Sequence, residues 1–342
     1  MAVTLKELAA RLEMHPSTVS RALREHSTIS AATREHVRAL AAELGYEPNP
    51  VARGLVAGHT GMIGFIVTEV PGSFVPSMIE AANRVAAEAG LGTVLSVVAN
   101  DQAALDAELD RLRRKRVDGL LIHRWVPRLT PGVKRLIDDG VPYVFAGCKP
   151  WEGNPGPYVA WDDSGGTRVA TEHFASLGYE QIAYFGIEHP RARGYREAMA
   201  SLGLEPRCVI CRGGLWQQGW RAAERVLEID PLPRAVVCFS DSIAYGLLAR
   251  LAEEGLDVPG DVAVIGQDDL WVSSLPQVRL SSIHYPRKEI GRGAAEVLLS
   301  IIDRRPAASQ VIPGRLVIRR TCGGSPEEDD LGWWRKAGGE HF

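Results

Sequence analysis

Apolar positions in the first forty-five residues recur at helical spacing in three short bursts. Leu5, Leu8, Ala9 and Leu12 share one face of a first helix. Val19 and Leu23 share a face of a second, and Val37, Leu40, Ala41 and Leu44 a face of a third. So few residues separate the first two that the pair has the spacing of a helix-turn-helix. Burying Val19 and Leu23 leaves Ser17, Thr18, Ser20, Arg21 and Arg24 facing outward, with no acid among them. Guanidinium groups pair with guanine edges and hydroxyls reach phosphate, so a small cationic face of this kind suits a DNA major groove. Ser30 is placed to cap the third helix and Gly45 to close it.

Past residue 46 the pattern breaks and then changes period. Pro48 and Pro50 end the third helix, and Pro50 fits the first turn of a short new one lined by Val51, Ala52, Leu55 and Val56. Gly54 lowers the propensity of that segment by about 1 kcal/mol relative to alanine, so it is expected to be disordered when free and helical only on DNA. From residue 62 onward, apolar runs at 62–67, 93–98, 119–122, 143–146, 182–185, 236–239 and 262–265 alternate with helical stretches, the first over 76–89. Continuous β-branched runs alternating with helices predict parallel sheets covered on both faces. A change of unit near residues 158–162 divides them into two doubly wound subdomains with a cleft between.

Ligands of open parallel sheets sit beyond the carboxyl ends of the strands. There the sequence places Thr68 and Glu69 after the first strand, His123 after the third, Ser240 and Asp241 after 236–239, and Gln267, Asp268 and Asp269 after 262–266. Arg191 lies in the 186–193 loop, three residues before Gly194-Tyr195-Arg196.

The order Thr-Leu-x-x-Leu-Ala from Thr4, Ser-Thr-Val-Ser-Arg-Ala-Leu from Ser17, Ile-Ser-x-x-Thr-Arg-x-x-Val from Ile29 and Gly-Tyr-x-Pro-Asn-x-Val-Ala-Arg from Gly45 resembles the lactose-repressor (LacI/GalR-type) family of bacterial regulators. The resemblance extends to about residue 321. It implies an α/β protein with an N-terminal three-helix helix-turn-helix domain over 1–47 and a hinge helix or linker over 48–60. A periplasmic-binding-protein-like effector and dimerisation domain of two lobes follows over 61–322, then a polar tail over 323–342. Three crossings between the lobes would return residues 286–310 to the first. Carried over by position, the DNA contacts are Thr4, Pro16, Ser17, Thr18, Ser20, Arg21 and Asn49, with Leu55 as the wedge that opens the minor groove. The effector contacts are Thr68, Phe74, His123, Arg191, Trp216, Ser240 and Asp268, with Arg191 and Asp268 bracketing vicinal hydroxyls of a sugar.

Plainer roles compete. One of Asp268 and Asp269 is expected to cap the following helix, Arg191 has the alternative of a surface position, and a tryptophan is more often core than platform for Trp216, Trp271 or Trp125. The chain also departs from the family's pattern. Ser240 stands for an asparagine, Gly147 lies near where an aspartate belongs, Glu13 replaces a turn glycine, and His15-Pro16 replaces a serine cap.

Composition adds exclusions. The 342 residues carry a formal charge of -3 and 45% hydrophobic content, enough for two or three globular domains. No apolar run approaches twenty residues and the N-terminus does not read as a signal peptide, which makes no membrane and a cytoplasmic location the expectation. The five cysteines then suggest no disulfide framework. Cys208 and Cys211 have metal-like spacing but no second pair, so neither metal nor cofactor is expected. Residues 1–60 hold seven Lys/Arg against six Asp/Glu, so DNA binding would rest on where the arginines point and on dimerisation. The expected function is a ligand-responsive transcriptional regulator, a repressor of a carbohydrate-related operon. It would bind a palindromic double-stranded operator as a homodimer, under a small-molecule effector. A solute (sugar)-binding protein is the alternative; an enzyme is not indicated.

Overall fold

The computed structural model describes residues 3–46, 59–68, 74–99, 101–124, 126, 128–214 and 216–324, with residue 74 described by its backbone alone. Asn49, Leu55, the expected hinge, Trp125 and most of the expected tail lie outside the described residues. The chain separates into two units, 1–61 and 62–342.

The first unit holds α1 (Leu5–Arg11), α2 (Pro16–Leu23) and α3 (Ala31–Glu43). Leu8, Ala9, Leu12, Val19, Ala22, Val37 and Ala41 make its core, and Leu5, Leu23, Leu40 and Leu44 pack around them half-buried. Each helix start is capped by a side chain. Thr4 and Glu7 form a reciprocal capping box on α1, His15 caps α2, and Ser30 accepts the Thr33 amide on α3. Glu13 holds the turn at φ 50°, the left-handed conformation that a glycine adopts without strain.

The second unit contains two six-stranded sheets. The first lobe orders its strands β2 (Gly92–Val97), β1 (Met62–Val67), β3 (Gly119–His123), β4 (Tyr143–Gly147), β5 (Tyr158–Trp161) and β11 (Gln310–Ile312), all parallel. Its helices are α4 (Phe74–Glu88), α5 (Gln102–Arg114), α6 (Pro131–Asp138) and α12 (Arg287–Ile302). The second lobe orders β7 (Arg207–Ile210), β6 (Ile182–Gly186), β8 (Ala235–Cys238), β9 (Ala263–Gln267), β10 (Ser281–His284) and β12 (Arg315–Val317). Only β12 runs antiparallel there. Its helices are α7 (Asp163–Ser176), α8 (Pro190–Ser201), α9 (Trp216–Ala222), α10 (Glu224–Leu227), α11 (Asp241–Glu253) and a 3-10 turn, Trp271–Ser274.

The chain passes between lobes three times: from Trp161 to Asp163, from His284 to Arg287, and from Ile312 to Arg315. Residues 287–302 do return to the first lobe, where α12 packs on α4 so closely that a Cβ on Gly291 would stand 2.1 Å from the Met78 carbonyl oxygen. One apolar cluster, including Phe65, Val144, Trp161, Tyr184, Ile265 and Tyr285, runs through both lobes. Among the described residues no helix is long and apolar enough to cross a membrane, and no cluster of three or more His, Cys, Asp or Glu is placed to hold a metal.

Candidate functional site

On α2, Val19 and Ala22 turn inward, while Ser17, Arg21 and Arg24 are exposed and Pro16, Thr18 and Ser20 half-buried. Arg21 lies back along the helix, its Nε donating to the Ser17 carbonyl at 3.3 Å and its Nη2 to Ser17 Oγ at 3.4 Å. Arg24 repeats the arrangement on Ser20, at 3.2 Å for both contacts. His15 Nδ1 accepts the Ser17 amide at 3.3 Å and stands 2.8 Å from Ser17 Oγ. Thr4, expected as a DNA contact, has its hydroxyl donating to Glu7 Oε2 at 2.9 Å within the capping box.

At the carboxyl ends of the second-lobe strands, Arg191 is no surface arginine: it is 3% exposed. The N-terminal turn of α8 places it there, with Pro190 at the first helical position and the His189 ring accepting the Arg191 amide at 3.4 Å. Its Nε donates to Asp163 Oδ1 at 2.7 Å, and its Nη1 donates to the Phe239 carbonyl at 2.6 Å and to Asp268 Oδ1 at 3.0 Å. The guanidinium carbon stands 5.1 Å from the ring centroids of both Phe239 and Tyr285. Burial opposes its charge, but Asp268, Tyr285 and Asp163 outweigh it and hold the guanidinium firmly protonated. Asp268 is pushed up by its own burial, with Arg191 pulling the other way.

Neither Asp268 nor Asp269 caps a helix, contrary to the sequence expectation. The 3-10 turn that follows has no side-chain cap, and the Leu270 amide goes instead to Asp241 Oδ2 at 2.7 Å. The two aspartates adopt positive φ in succession, 109° and 47°, which turns the chain sharply and costs on the order of 1–3 kcal/mol each. Three contacts hold that turn. Arg287 donates to both carbonyls at 2.6 and 3.2 Å, and the Asp269 amide donates to Ser282 Oγ at 3.0 Å. Asp269 binds Arg319 at 2.8 Å and His284 at 2.9 Å; burial opposes its ionisation, and those two partners outweigh it and hold its carboxyl below the usual range.

The first lobe contributes an aromatic wall. His123 ends β3 with Nδ1 2.8 Å from the Ala146 carbonyl oxygen, and its ring meets Trp161 edge-on at 5.8 Å. Burial pushes its basicity down. Gly147 has φ 83°, and a Cβ there would lie 2.6 Å from the Trp161 ring and 2.9 Å from His123 Nδ1. The indole therefore fills the space that a side chain at 147 would need. Trp161 Nε1 donates at 2.8 Å to Asp163 Oδ1, the oxygen that also takes Arg191 Nε. The Trp161 ring lies 5.7 Å from that of Tyr285, whose hydroxyl is pinned at 2.9 Å to Gln267 Oε1.

Of the sequence candidates, the structure gathers Arg191 and Asp268, with His123 reaching them through Trp161 and Asp163. Thr68 follows β1 half-buried. Ser240 caps α11, its hydroxyl accepting the Ile243 amide at 3.2 Å. Trp216 begins α9 at 51% exposure, and no ring contact joins it to the Arg191 cluster among the described residues. The sequence reading missed Asp163, Trp161, Phe239 and Tyr285. The rule that picked out His123 would have found the first two, had 158–161 been taken as a strand with its own carboxyl end.

Residues 4–49 match the family model for bacterial regulatory proteins of the lacI family, and residues 171–322 match a periplasmic binding protein-like domain. The ribose operon repressor of Escherichia coli (strain K12) is 32% identical over 313 residues, covering 88% of this chain and 93% of the relative. The HTH-type transcriptional repressor PurR of Vibrio campbellii (strain ATCC BAA-1116) is 28% identical over 333 residues, 93% of this chain and 98% of the relative. The solved lac repressor dimer bound to operator and the anti-inducer ONPF superposes with TM-score 0.82 at 26% identity, covering 94% of this chain and 99% of that one. The CelR–cellobiose complex does so with TM-score 0.69 at 28% identity, covering 93% and 99%. These relatives are transcriptional regulators, not enzymes.

Proposed function

From the premise that the chain belongs to the lacI family of bacterial regulatory proteins, whose members here are DNA-binding transcriptional regulators, we propose that it represses a carbohydrate-related operon as a homodimer on a palindromic operator. An effector seated at Arg191 and Asp268 sets its affinity. The observation that carries this reading is that one chain bears an acid-free α2 face and a buried guanidinium held between two carboxylates at the sheet ends. Pro16, Ser17, Thr18, Ser20 and Arg21 read the operator. Relatives named for a ribose operon and for a cellobiose complex support a sugar, and a dimeric relative on its operator supports two half-sites.

The charge pattern narrows the effector further. Arg191 is already matched by Asp163 and Asp268, so a phosphate or carboxylate ligand would meet two like charges in a desolvated site. A hydroxyl donates and accepts at once and fits a strip where carboxylate and guanidinium alternate. The effector is therefore an uncharged polyhydroxyl compound with one apolar face toward Trp161.

A thermal-shift panel of matched pairs tests this: glucose against glucose 6-phosphate and gluconate, ribose against ribose 5-phosphate, with cellobiose and hypoxanthine added. A binder at a hundredfold excess over Kd stabilises the fold by about 2.7 kcal/mol. Stabilisation by a neutral sugar, with altered affinity for a palindromic duplex in fluorescence anisotropy, is the expected result. Stabilisation by hypoxanthine or only by the anionic member of a pair contradicts the effector class, and no preferred duplex at any salt contradicts the regulator.

A further inference from the structure

His15 stands ahead of α2, one residue before Pro16 and two before Ser17. It does more than cap the helix. Nδ1 of His15 accepts the Ser17 amide at 3.3 Å, so it carries a lone pair and the ring proton resides on Nε2. The same nitrogen stands 2.8 Å from Ser17 Oγ, so its one lone pair is shared by the amide and the hydroxyl, and the hydroxyl donates along the shorter contact. Arg21 Nη2 approaches Ser17 Oγ from the other side at 3.4 Å and can only donate. The one proton of Ser17 is thus directed along the protein and one lone pair is filled. What the exposed hydroxyl turns outward is its second lone pair.

We propose that His15 is a positioning residue for operator specificity: it fixes Ser17 as a hydrogen-bond acceptor. In the major groove an acceptor selects the amino groups of cytosine N4 and adenine N6, and rejects guanine O6 and N7 and thymine O4. Pro16 sharpens the assignment, because it has no backbone N–H and no polar side-chain atom and can offer the neighbouring base only an apolar contact. Discrimination at this edge of the recognition helix falls to Ser17, in the state His15 imposes. The inference rests on the operator-binding reading above.

The experiment is selection from a randomised duplex library by the full chain, sequenced for wild type, His15→Ser, Ser17→Ala and the double variant. Serine at 15 keeps an oxygen for the α2 cap but frees the Ser17 hydroxyl to turn. Wild type should enrich a palindrome with cytosine or adenine facing Ser17 in each half-site. His15→Ser should reduce discrimination at that base pair alone by about threefold to tenfold, the worth of one hydrogen bond, with other positions unchanged. Ser17→Ala should give the same loss, and the double variant no more than either single change, as coupled residues require. A purely structural cap would instead weaken binding uniformly and leave the preference intact. An unchanged preference in His15→Ser, or additive losses in the double variant, overturns the inference while leaving the regulator reading in place. No enriched sequence for wild type overturns that reading, and the inference with it.

Discussion

Gly147 and the Trp161 indole share one space, and the cost of disturbing them can be stated. At φ 83° an alanine is strained, and its Cβ would stand 2.6 Å from the ring. Gly147→Ala should therefore lower stability by about 1–3 kcal/mol in urea denaturation, the range for overpacking a filled site. Trp161→Ala should return the part due to the clash and leave the backbone part, so the double variant will be less than additive. Arg191 poses the opposite case, a charge with partners on both sides. Arg191→Met strands Asp163 and Asp268 in the interior and should cost about 3–5 kcal/mol, visible as a shift of the urea midpoint without a change of slope. Lysine should rescue little, since an ammonium cannot reproduce the fork that reaches Asp163, Asp268 and the Phe239 carbonyl together. Arg191 and Asp268 were legible from spacing because each sits a fixed step from a motif of the resembled family. Asp163 was not, because the strand whose carboxyl end it follows, β5, is only four residues long and does not stand out as an apolar block.

Elements were legible in proportion to their apolar run. The strands at 62–67, 119–123, 143–147 and 182–186 are buried almost throughout and stood out as hydrophobic blocks. β10, β11 and β12 are three or four residues long, with Ser281, Ser282, Gln310 and Arg315 among them, so nothing in hydropathy marks them; they exist because neighbouring strands offer free edges. Helix contacts were equally silent. α9 and α11 approach so closely that a Cβ on Gly246 would meet the Trp216 carbonyl oxygen and the Trp220 nitrogen at 2.3 Å each. The start of α8 carries a prediction of its own. His189 caps it as an acceptor, and burial pushes the imidazole down to about 4, with Asp163 opposing that shift and Arg191 reinforcing it. A base whose folded value lies below its unfolded value of about 6.5 binds fewer protons in the native state, so stability falls as pH drops from about 6.5 towards 4. The loss should approach about 3 kcal/mol across that window. His189→Asn keeps an N-cap acceptor without a titrating ring, and urea midpoints at pH 7 and pH 5 should then differ less than in the wild type.

At the scale of the whole second unit, the Arg191 cluster coincides with the crossings between lobes. Trp161 ends β5 on one side of the first crossing, and Asp163 begins α7 on the other. Tyr285 lies in the second crossing, its ring 5.7 Å from that of Trp161. On the reading proposed above, a ligand at Arg191 and Asp268 would bear on those crossings through one shared oxygen, Asp163 Oδ1, which accepts hydrogen bonds from Trp161 and Arg191 together. Trp161→Phe keeps an aromatic ring at this position and deletes the N–H, together with the outer indole carbons that reach Gly147. Sugar affinity should then change little, because Arg191 and Asp268 are untouched. The factor by which saturating sugar alters operator affinity should shrink. Linkage makes the prediction checkable from both directions: operator titrations with and without sugar, and sugar titrations with and without operator, must return the same reduced factor. If the factor stays at its wild-type value in both, the lobes are coupled through packing alone. If sugar affinity collapses along with it, the indole N–H itself serves sugar binding, and the shared oxygen is a structural support, not a transmitter.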